Sequence, residues 1–377
     1  MGKKVPKNSF WQAFEDLEDP RDEARNFQYP LTMVVGLGVL AIACGQKSFS
    51  GIAHFLRLQW SWFEHYFPGH SNAPSRSTFQ RVFQGIHPKH FETCFLAWTS
   101  TLKVVKSADS TQVAIDGKTV RNSGTEHEHP LHLVSAFCTD HGLVLGQVAT
   151  ESKSNEIEAI PRLLEMLELK GTTVTVDAMG CQTKIAEAIC EQGADYVLAL
   201  KKNHKSLYED VAYFFHDIEQ GVSDDIDVYE ENDKGHGRIE TRTCYVKNDA
   251  KWLDGHERWR NLSAIARVDS IRIKKGKTTT HTRYFLVSKR ITAQNLLAIV
   301  RNHWRIENQH HWVIDVDFGE DKACVRDKNQ AHNIAIARRL AMNLIRAFPA
   351  FKGSLADVQR QIAFNFDARA TLMNSIT

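Results

Sequence analysis

The sequence lacks the features that identify membrane-spanning, exported and lipid-anchored proteins. Its longest apolar run, Leu31 to Gly45, has about fifteen residues, whereas a membrane-spanning helix needs about twenty. No cleavable signal pattern precedes this run, and Pro6 occupies the position where a myristoylation signal has Ser or Thr. We therefore predict a cytoplasmic protein that has no membrane partner.

The sequence also lacks closely spaced cysteines and a strong net charge. Its seven cysteines include no C-x-x-C pair, which favours free and mostly buried thiols over disulfides. The 47 Lys and Arg are balanced by 45 Asp and Glu, so the formal net charge is +2. Because the average charge does not identify a nucleic-acid-binding protein, only local clusters of charge can do so.

Two ligand-binding motifs are incomplete. Gly117-Lys118-Thr119 resembles the end of a phosphate-binding loop, but that loop needs glycine at position 112, which holds Gln112. The sequence therefore does not predict ATP binding. His127, His129 and His132 have a spacing that a zinc site could use, but no clear acidic partner accompanies them. A turn-rich segment entering a strand explains these histidines better.

The hydrophobic pattern changes along the chain from helical to strand-like. Residues 1–100 have helical spacing, which predicts an all-helical N-terminal domain. From about residue 111, short β-rich runs and amphipathic helices follow in the order β-β-β-α-β-α-β. This order predicts an α/β fold with a ribonuclease H-like mixed sheet. We predict that this domain spans 101–348, with a β-rich insertion at about 205–290, and that 349–377 form a weakly structured tail.

Two stretches of the chain are basic. Residues 24–90 contain six Lys and Arg and a single acid, Glu64, and this charge can meet phosphate. The helix predicted after Ser75 resembles the second helix of a helix-turn-helix motif. Its candidate DNA-contacting side chains are Arg76, Gln80 and Arg81. A solvated face of a small helical domain explains the same residues equally well. Residues 322–360 have six more basic than acidic side chains, which predicts a second basic surface.

Three acidic residues have the setting that a metal site requires. Asp116 and Asp177 each follow a strand of apolar residues, where a carboxylate loses hydration unless something pairs with it. Glu307 lies in a predicted long helix, from which its side chain can face the sheet. Three hard oxygen donors suit Mg²⁺ or Mn²⁺, and two such ions can drive phosphodiester cleavage. Taken singly, each acid is more often a helix cap or an ion-pair partner.

The candidate acids lie in three sequence blocks, Ala114–Arg121, Val176–Gln182 and His303–Trp312. These blocks resemble those of the H-repeat-associated insertion-sequence transposases, which belong to the DDE class. The stretches Phe14–Phe49 and Ser75–Arg81 resemble the helical domain associated with that family. The resemblance spans roughly residues 10–348, which is too long for a chance match.

This resemblance implies a DNA transposase that cleaves DNA strands in a metal-dependent reaction and then transfers them. Asp116, Asp177 and Glu307 would be its catalytic residues and the ligands of two Mg²⁺ or Mn²⁺ ions. Its partners would be double-stranded DNA, as element ends and as target, and further copies of the chain in a synaptic homo-oligomer. We expect such a protein to associate with the nucleoid.

The sequence departs from a related motif around Glu307. Related bacterial DDE transposases have Tyr seven and Arg four residues before the glutamate and Lys seven residues after it, where this chain has Val300, His303 and Ile314. Other groups must then hold DNA near the cut. The candidates are Arg301, Arg305, His310 and Lys322, together with Lys118 and Arg121 beside Asp116. Acids further along could be mistaken for the third ligand; they are Asp315, Asp317, Glu320 and Asp321.

Two other functions stay open at this point. The altered motif is compatible with an inactive relic transposase that acts only as a DNA-binding protein. A metal-dependent nuclease without strand transfer would share the three acids but would not need two element ends. Metal-dependent cleavage would exclude the relic, and strand transfer would exclude the simple nuclease.

Overall fold

A computed structural model describes residues 10–21, 27–102, 111–126, 128–150, 155–219, 225–235, 237–347 and 352–376. His127, which belongs to the zinc alternative, lies outside the described residues. The chain divides into two compact units. Unit 1 comprises Met1–Val104, Gly117–Asn155 and Glu307–Thr377, and unit 2 comprises Val105–Asp116 and Glu156–Ile306.

The described chain begins and ends in helices, and its strands lie between residues 112 and 287. The helices are α1 (Leu31–Ala43), α2 (Phe49–Leu58), α3 (Trp60–Phe63), α4 (Arg76–Gly85), α5 (Pro88–Thr101), α6 (Glu156–Glu165), α7 (Thr183–Glu191), α8 (Lys205–Glu219), α9 (Ala293–His303), α10 (Trp312–Val316), α11 (Lys328–Ala347), α12 (Leu355–Phe364) and α13 (Phe366–Ile376). The strands are β1 (Gln112–Thr119), β2 (His132–Cys138), β3 (Leu143–Thr150), β4 (Thr173–Val176), β5 (Asp195–Leu200), β6 (Asp227–Gly235), β7 (Arg238–Lys247), β8 (Ala264–Lys274) and β9 (Lys277–Val287).

The nine strands form one mixed sheet, in the order β3-β2-β1-β4-β5-β9-β8-β7-β6. In unit 2, β1, β4 and β5 are parallel, and β9 joins β5 in the antiparallel direction. The parallel strands are buried and rich in Val, Ile and Leu, as expected for strands covered on both faces. Leu296, Leu297 and Val300 of α9 pack with Val197, Val268 and Phe285 in the core of this unit.

Strands β6 to β9 extend the sheet as long antiparallel hairpins. Strand β8 is buried at Ala264 but exposed from Arg272 to Lys274, so only its first half contributes to the core. Lys275 and Gly276 join β8 to β9 with positive φ angles of 49° and 73°. Two left-handed residues between paired strands form the hairpin turn whose twist matches that of the strands, and glycine adopts this conformation without strain.

The core of unit 1 contains α1 and α11. Helix α1 is apolar on every side and is buried almost completely, so the longest apolar run of the sequence is a core helix. No helix in the described part of the chain is both long enough and apolar enough to cross a membrane. Helix α11 carries two buried asparagines. Asn333 Nδ2 donates to the backbone oxygens of Phe83 and Ile86, and Asn343 exchanges two hydrogen bonds with the backbone of Val144.

The predicted order β-β-β-α-β-α-β is present from β1 to β5, and the structure differs from the prediction at two places. Within 205–290, residues 205–219 form helix α8, because Leu207, Val211 and Phe215 recur every four residues and are buried. Within 349–377, residues 355–376 form α12 and α13, of which α12 begins after a Ser354 cap that accepts from Asp357 N.

Candidate active site

Asp116 and Asp177 occupy equivalent positions on neighbouring parallel strands of unit 2. In the register of β1 and β4, Ile115 is paired with Val176; Asp116 is the next residue of β1, and Asp177 directly follows the end of β4. Both side chains are half-buried, whereas the apolar residues before them are buried. Because the two strands are parallel and in register, both carboxylates come directly after the last residue pair of the ladder.

The loop after β4 fixes the carboxylate of Asp177. Its Oδ1 atom accepts hydrogen bonds from the backbone nitrogens of Met179 at 3.0 Å and Gly180 at 3.3 Å. A Cβ atom at position 180 would lie 2.2 Å from Cγ1 of Val176, so this tight turn requires glycine. One oxygen of Asp177 therefore holds the loop, and the second carboxylate oxygen can serve as a ligand atom.

Residues that follow β5 hold the same loop from the other side. Asn203 Nδ2 donates to the Ala178 oxygen at 3.1 Å, and His204 Nε2 lies 2.6 Å from the Cys181 oxygen. Burial, and to a smaller extent the charge of Asp177, raises the pKa of the Cys181 thiol to about 12. The thiol therefore stays protonated, which disfavours it as a metal ligand. Asn203 and His204 were not predicted from the sequence, where polar residues after a strand are too common to be informative.

Glu307 lies in a π-helical turn, Ile306–His311, and not in the long regular helix that we predicted. Such turns are rare and occur frequently at functional sites. Within unit 1, the exposed Glu307 Oε2 lies 3.2 Å from Nδ1 of the buried His311. Glu307 and His311 each offer a ligand atom to a metal ion. The spacing of four residues places both on one face, a signal that the sequence contains but that we did not weigh for Glu307.

Polar contacts hold α9, which precedes this turn, against the strands that carry the two aspartates. Thr175 Oγ1 lies 2.8 Å from His303 Nδ1, and Gln112 Nε2 donates to Thr175 Oγ1 and to the Ile299 oxygen. His303 occupies the position at which related transposases have Arg. Val300 and Ile314, at the other two altered positions, are 3% and 0% exposed. All three altered positions therefore hold residues with packing or hydrogen-bonding roles in their own units.

The acids that follow Glu307 form ion pairs in unit 1. Lys118 is 8% exposed, and its Nζ atom lies 2.7 Å from Asp315 Oδ1, 3.0 Å from Asp321 Oδ1 and 3.7 Å from Glu320 Oε2. Glu320 is fully buried and lies 2.7 Å from Nη1 of Arg339 and 3.8 Å from Nη1 of Arg338. We name these residues the Glu320 cluster: Lys118, Asp315, Glu320, Asp321, Arg338 and Arg339.

Charge pairing decides the protonation of this cluster. Burial favours the neutral form of Glu320, but Arg339 and Arg338 outweigh it and lower the pKa of Glu320. Burial raises the pKa of Asp315 above its ordinary value, although the hydrogen bond from Lys118 opposes this shift. Arg338 and Arg339, which the sequence placed on a second basic surface, are buried here. Sequence reasoning cannot separate such buried cations from surface cations.

The candidate DNA-contacting residues differ widely in exposure. Arg76 and Arg81 are exposed on α4 and Gln80 is half-buried, while the Ser75 hydroxyl caps this helix. Arg121 is 82% exposed at its side chain and lies 3.3 Å from Asp321. Their role in DNA binding stays a prediction.

The candidates near Glu307 are placed differently. Arg301 forms ion pairs with Glu231 and Asp233, and Arg305 is half-buried. His310 is fully buried and stacks on Phe137, with ring centroids 5.8 Å apart. Burial, together with the charges of its neighbours, holds the pKa of His310 well below its ordinary value. Arg301 and Lys322 are the exposed residues among these four candidates.

Comparison with known proteins adds independent information. The family described as "Transposase DDE domain" matches residues 107–344, and the family described as "DDE_Tnp_1-associated" matches residues 11–99. The chain is 33% identical over 355 residues to the "H repeat-associated putative transposase YhhI" of Escherichia coli K12, covering 92% of this chain and 93% of that protein. It is 34% identical over 350 residues to the "Putative transposase YncI" of Escherichia coli O157:H7, covering 90% and 87%.

A solved structure of a piggyBac transposase synaptic complex with hairpin DNA is also similar, with a TM-score of 0.48 and 8% sequence identity over 97% of this chain and 80% of that chain. The two family matches and the full-length relatives confirm the resemblance found in the three sequence blocks. The chain therefore belongs to the H repeat-associated DDE transposases, enzymes that cleave DNA and transfer its strands.

Proposed function

We propose that this transposase uses Asp116, Asp177 and Glu307 to hold divalent metal ions at which DNA strands are cut and joined. The observation that carries the proposal is the register of β1 and β4, in which Asp116 and Asp177 each come directly after the pair formed by Ile115 and Val176. The strand order β3-β2-β1-β4-β5 further supports a ribonuclease H-like catalytic fold.

The donor atoms fit a hard divalent cation. Asp116 and Asp177 supply carboxylate oxygens, which Mg²⁺ and Mn²⁺ prefer, and the loop bonds of Asp177 use only its Oδ1 atom. Glu307 supplies a third carboxylate, which the ring of His311 orients within unit 1. When bound, Mg²⁺ or Mn²⁺ ions, two in the mechanism we favour, would activate the attacking oxygen and stabilise the leaving oxygen of the phosphodiester. The three side chains would act as ligands, and no side chain is needed as a general base.

The proposed substrates are double-stranded element ends and a double-stranded target. Exposed cations on the helices before residue 100, such as Arg76 and Arg81, would contact the DNA backbone, and these helices would form a DNA-binding domain. Because both element ends must be processed together, the active form would be a homo-oligomer. The protein would then work at the nucleoid.

The test is nicking of a duplex that carries the element end flanking the coding sequence, with Mg²⁺ or Mn²⁺. Asp116→Asn, Asp177→Asn and Glu307→Gln remove charge while keeping size, and an Asn at 177 can still accept the two loop hydrogen bonds. We expect each variant to lose at least ~100-fold in nicking rate, because the metal ligands act on the transition state. Glu158→Gln, which changes an exposed acid on α6 in the same way, is the matched control and should nick like the unaltered protein.

The possible outcomes separate the alternatives. Activity that persists only in Glu307→Gln would reject Glu307 as the third ligand and direct the search to Asp315 and Asp317. End binding without nicking by the unaltered protein, with both ends and either metal supplied, would indicate an inactive relic. Nicking without joining of the freed 3′ ends to a target duplex would indicate a simple nuclease.

A further inference from the structure

Unit 1 contains a cavity of about 420 Å³ that brings together the two basic stretches of the sequence. Its lining comes from residues 47–50, from α4, and from residues 319–338, which are about 240 positions later in the chain. The charged residues of the lining are Lys47, Arg76, Lys322 and Arg338. Among the described residues, no Asp or Glu lines this cavity. We name it the basic cavity.

Three of these four cations carry charge that no ion pair offsets. Arg338 is buried and compensated by Glu320 at 3.8 Å, whereas Lys47, Arg76 and Lys322 are exposed and form no ion pair with any residue that the structure describes. Lys47 Nζ donates to the Val316 oxygen at 3.0 Å, a bond that positions the ammonium group without neutralising it. Asp317, which is not part of the lining, interacts electrostatically with Lys47. The lining itself therefore has an excess of positive charge.

The walls of the basic cavity hold Lys47 in place and join the two basic segments. Gly319 has a φ of 66°, and a Cβ atom there would lie 3.0 Å from Cδ of Lys47, so glycine leaves room for the lysine stem. Gln330 Nε2 of α11 donates to the Gln80 oxygen of α4 at 3.1 Å and joins the two basic segments. These contacts make the cavity a built feature, in contrast to a chance cluster of surface lysines.

A helix end adds to the positive field. Ser48, Phe49 and Ser50 line the cavity, and they are the cap and first residues of the ten-residue helix α2. The N-terminus of a helix carries a partial positive charge that favours anions. A phosphate group suits this lining, which combines cations, a helix N-terminus and the amide side chains of Gln80 and Gln330. The cavity volume of about 420 Å³ is larger than one phosphate needs.

We propose that the basic cavity binds a backbone phosphate of duplex DNA through Lys47, Arg76 and Lys322. This proposal rests on the proposed function, since it assigns part of the surface that holds the DNA substrate. It adds Lys47 and Lys322 to the helix-turn-helix-like residues Arg76 and Gln80. It also explains why two basic segments far apart in the sequence face the same space.

The experiment measures binding of the full chain to a fluorescent 30-base-pair duplex in EDTA, between 50 and 200 mM NaCl. Each lost phosphate contact should reduce the slope of log Kd against log salt by about 0.9. We therefore expect the triple variant Lys47→Gln/Arg76→Gln/Lys322→Gln, which loses this one phosphate contact, to flatten the slope by about 0.9 and to bind at least ~10-fold more weakly at 100 mM salt. Lys170→Gln removes an exposed cation from unit 2 and should leave both values unchanged. Melting temperatures equal to that of the unaltered protein would verify folding of the variants.

An unchanged salt slope in the folded triple variant would overturn the proposal. Because the assay contains no divalent metal, this result would leave the proposed function intact if the unaltered protein still nicks DNA. Inorganic phosphate at 10 mM provides the second probe. If it raises the melting temperature of the unaltered protein but not of the triple variant, while the duplex slope is the same in both, the cavity takes free phosphate and the assignment to DNA is wrong.

Discussion

Two acidic sites of this transposase contain the same chemical groups in opposite surroundings. Asp177, in unit 2, is half-buried and accepts hydrogen bonds from two backbone amides, and it forms no ion pair within the described chain. Glu320, in unit 1, is fully buried and is surrounded by Arg339, Arg338 and Lys118. Hydrogen bonds from backbone amides orient the carboxylate of Asp177 but leave its charge in place. The neighbouring cations neutralise the carboxylate of Glu320.

This difference predicts different roles for the two carboxylates. A metal ligand needs an unneutralised charge and a fixed direction, and Asp177 has both. The carboxylate of Glu320 is already paired, so binding a cation there would require breaking ion pairs that stabilise the folded chain. The comparison therefore supports Asp177 as a ligand and disfavours Glu320 and Asp321 as the third one.

The sharpest way to break this comparison is Glu320→Gln, which leaves Arg338 and Arg339 buried without their counter-charge. Removal of one partner of a buried ion pair costs about 3–5 kcal/mol, so we expect a fall in melting temperature of many degrees. Asp177→Asn should melt close to the unaltered protein, because the loop hydrogen bonds survive. Thermal unfolding followed by circular dichroism provides the measurement. Equal destabilisation by the two variants would contradict the contrast between the two sites.

A smaller effect is expected from Thr175→Val, which keeps the shape of the side chain and removes the hydroxyl between Gln112 and His303. Two polar groups lose a partner, which costs about 1–3 kcal/mol. Because this contact positions α9 just before Glu307, the Mg²⁺ concentration needed for half-maximal nicking should also rise. Thr175→Ser retains the hydroxyl and is the matched control.

If Thr175→Val lowers the melting temperature but leaves the Mg²⁺ dependence unchanged, the contact has only a structural role. If the metal dependence shifts in Thr175→Val and returns in Thr175→Ser, Thr175 and His303 are positioning residues for the site. At the position where related enzymes have Arg, this chain would then use His303, which forms a hydrogen bond with Thr175 of β4.

The sequence predicted the sheet-forming part of the fold because the alternation of apolar and polar residues depends on local chain geometry. The strands β1, β4 and β5 end at Thr119, Val176 and Leu200, close to the predicted positions. Helix α8 was missed because its charged and aromatic residues obscure the apolar positions 207, 211 and 215. The π-helical turn at Glu307 has no sequence signature, since a single inserted residue changes the hydrogen-bond pattern.

The partners of charged residues were the least predictable feature of the candidate site. Lys118 follows Asp116 by two positions, and the sequence suggested that it contacts DNA. Its partners Asp315 and Asp321 are about 200 residues further along the chain. Successive residues of a strand point to opposite faces, but only tertiary packing decides which acids meet this lysine. Local pattern therefore selects the candidate ligands near the strands, while the pairing of distant charges requires the folded structure.

The smallest expected effect is the pH dependence of the Glu320 cluster. Because the folded pKa of Glu320 is lowered, the folded state binds this proton less readily than the unfolded chain. The stability from Glu320 is therefore present above the ordinary pKa of a glutamate, about 4.3, and is lost as the pH falls towards the folded value. Asp315 has a raised pKa and contributes with the opposite sign, so it partly offsets this loss.

We expect the urea concentration at the unfolding midpoint of the unaltered protein to decrease as the pH is lowered from 6 to 3.5. The difference in midpoint between the unaltered protein and Glu320→Gln should narrow over the same range. A gap that stays constant over this range would show that the ionised form of Glu320 is not what stabilises the cluster.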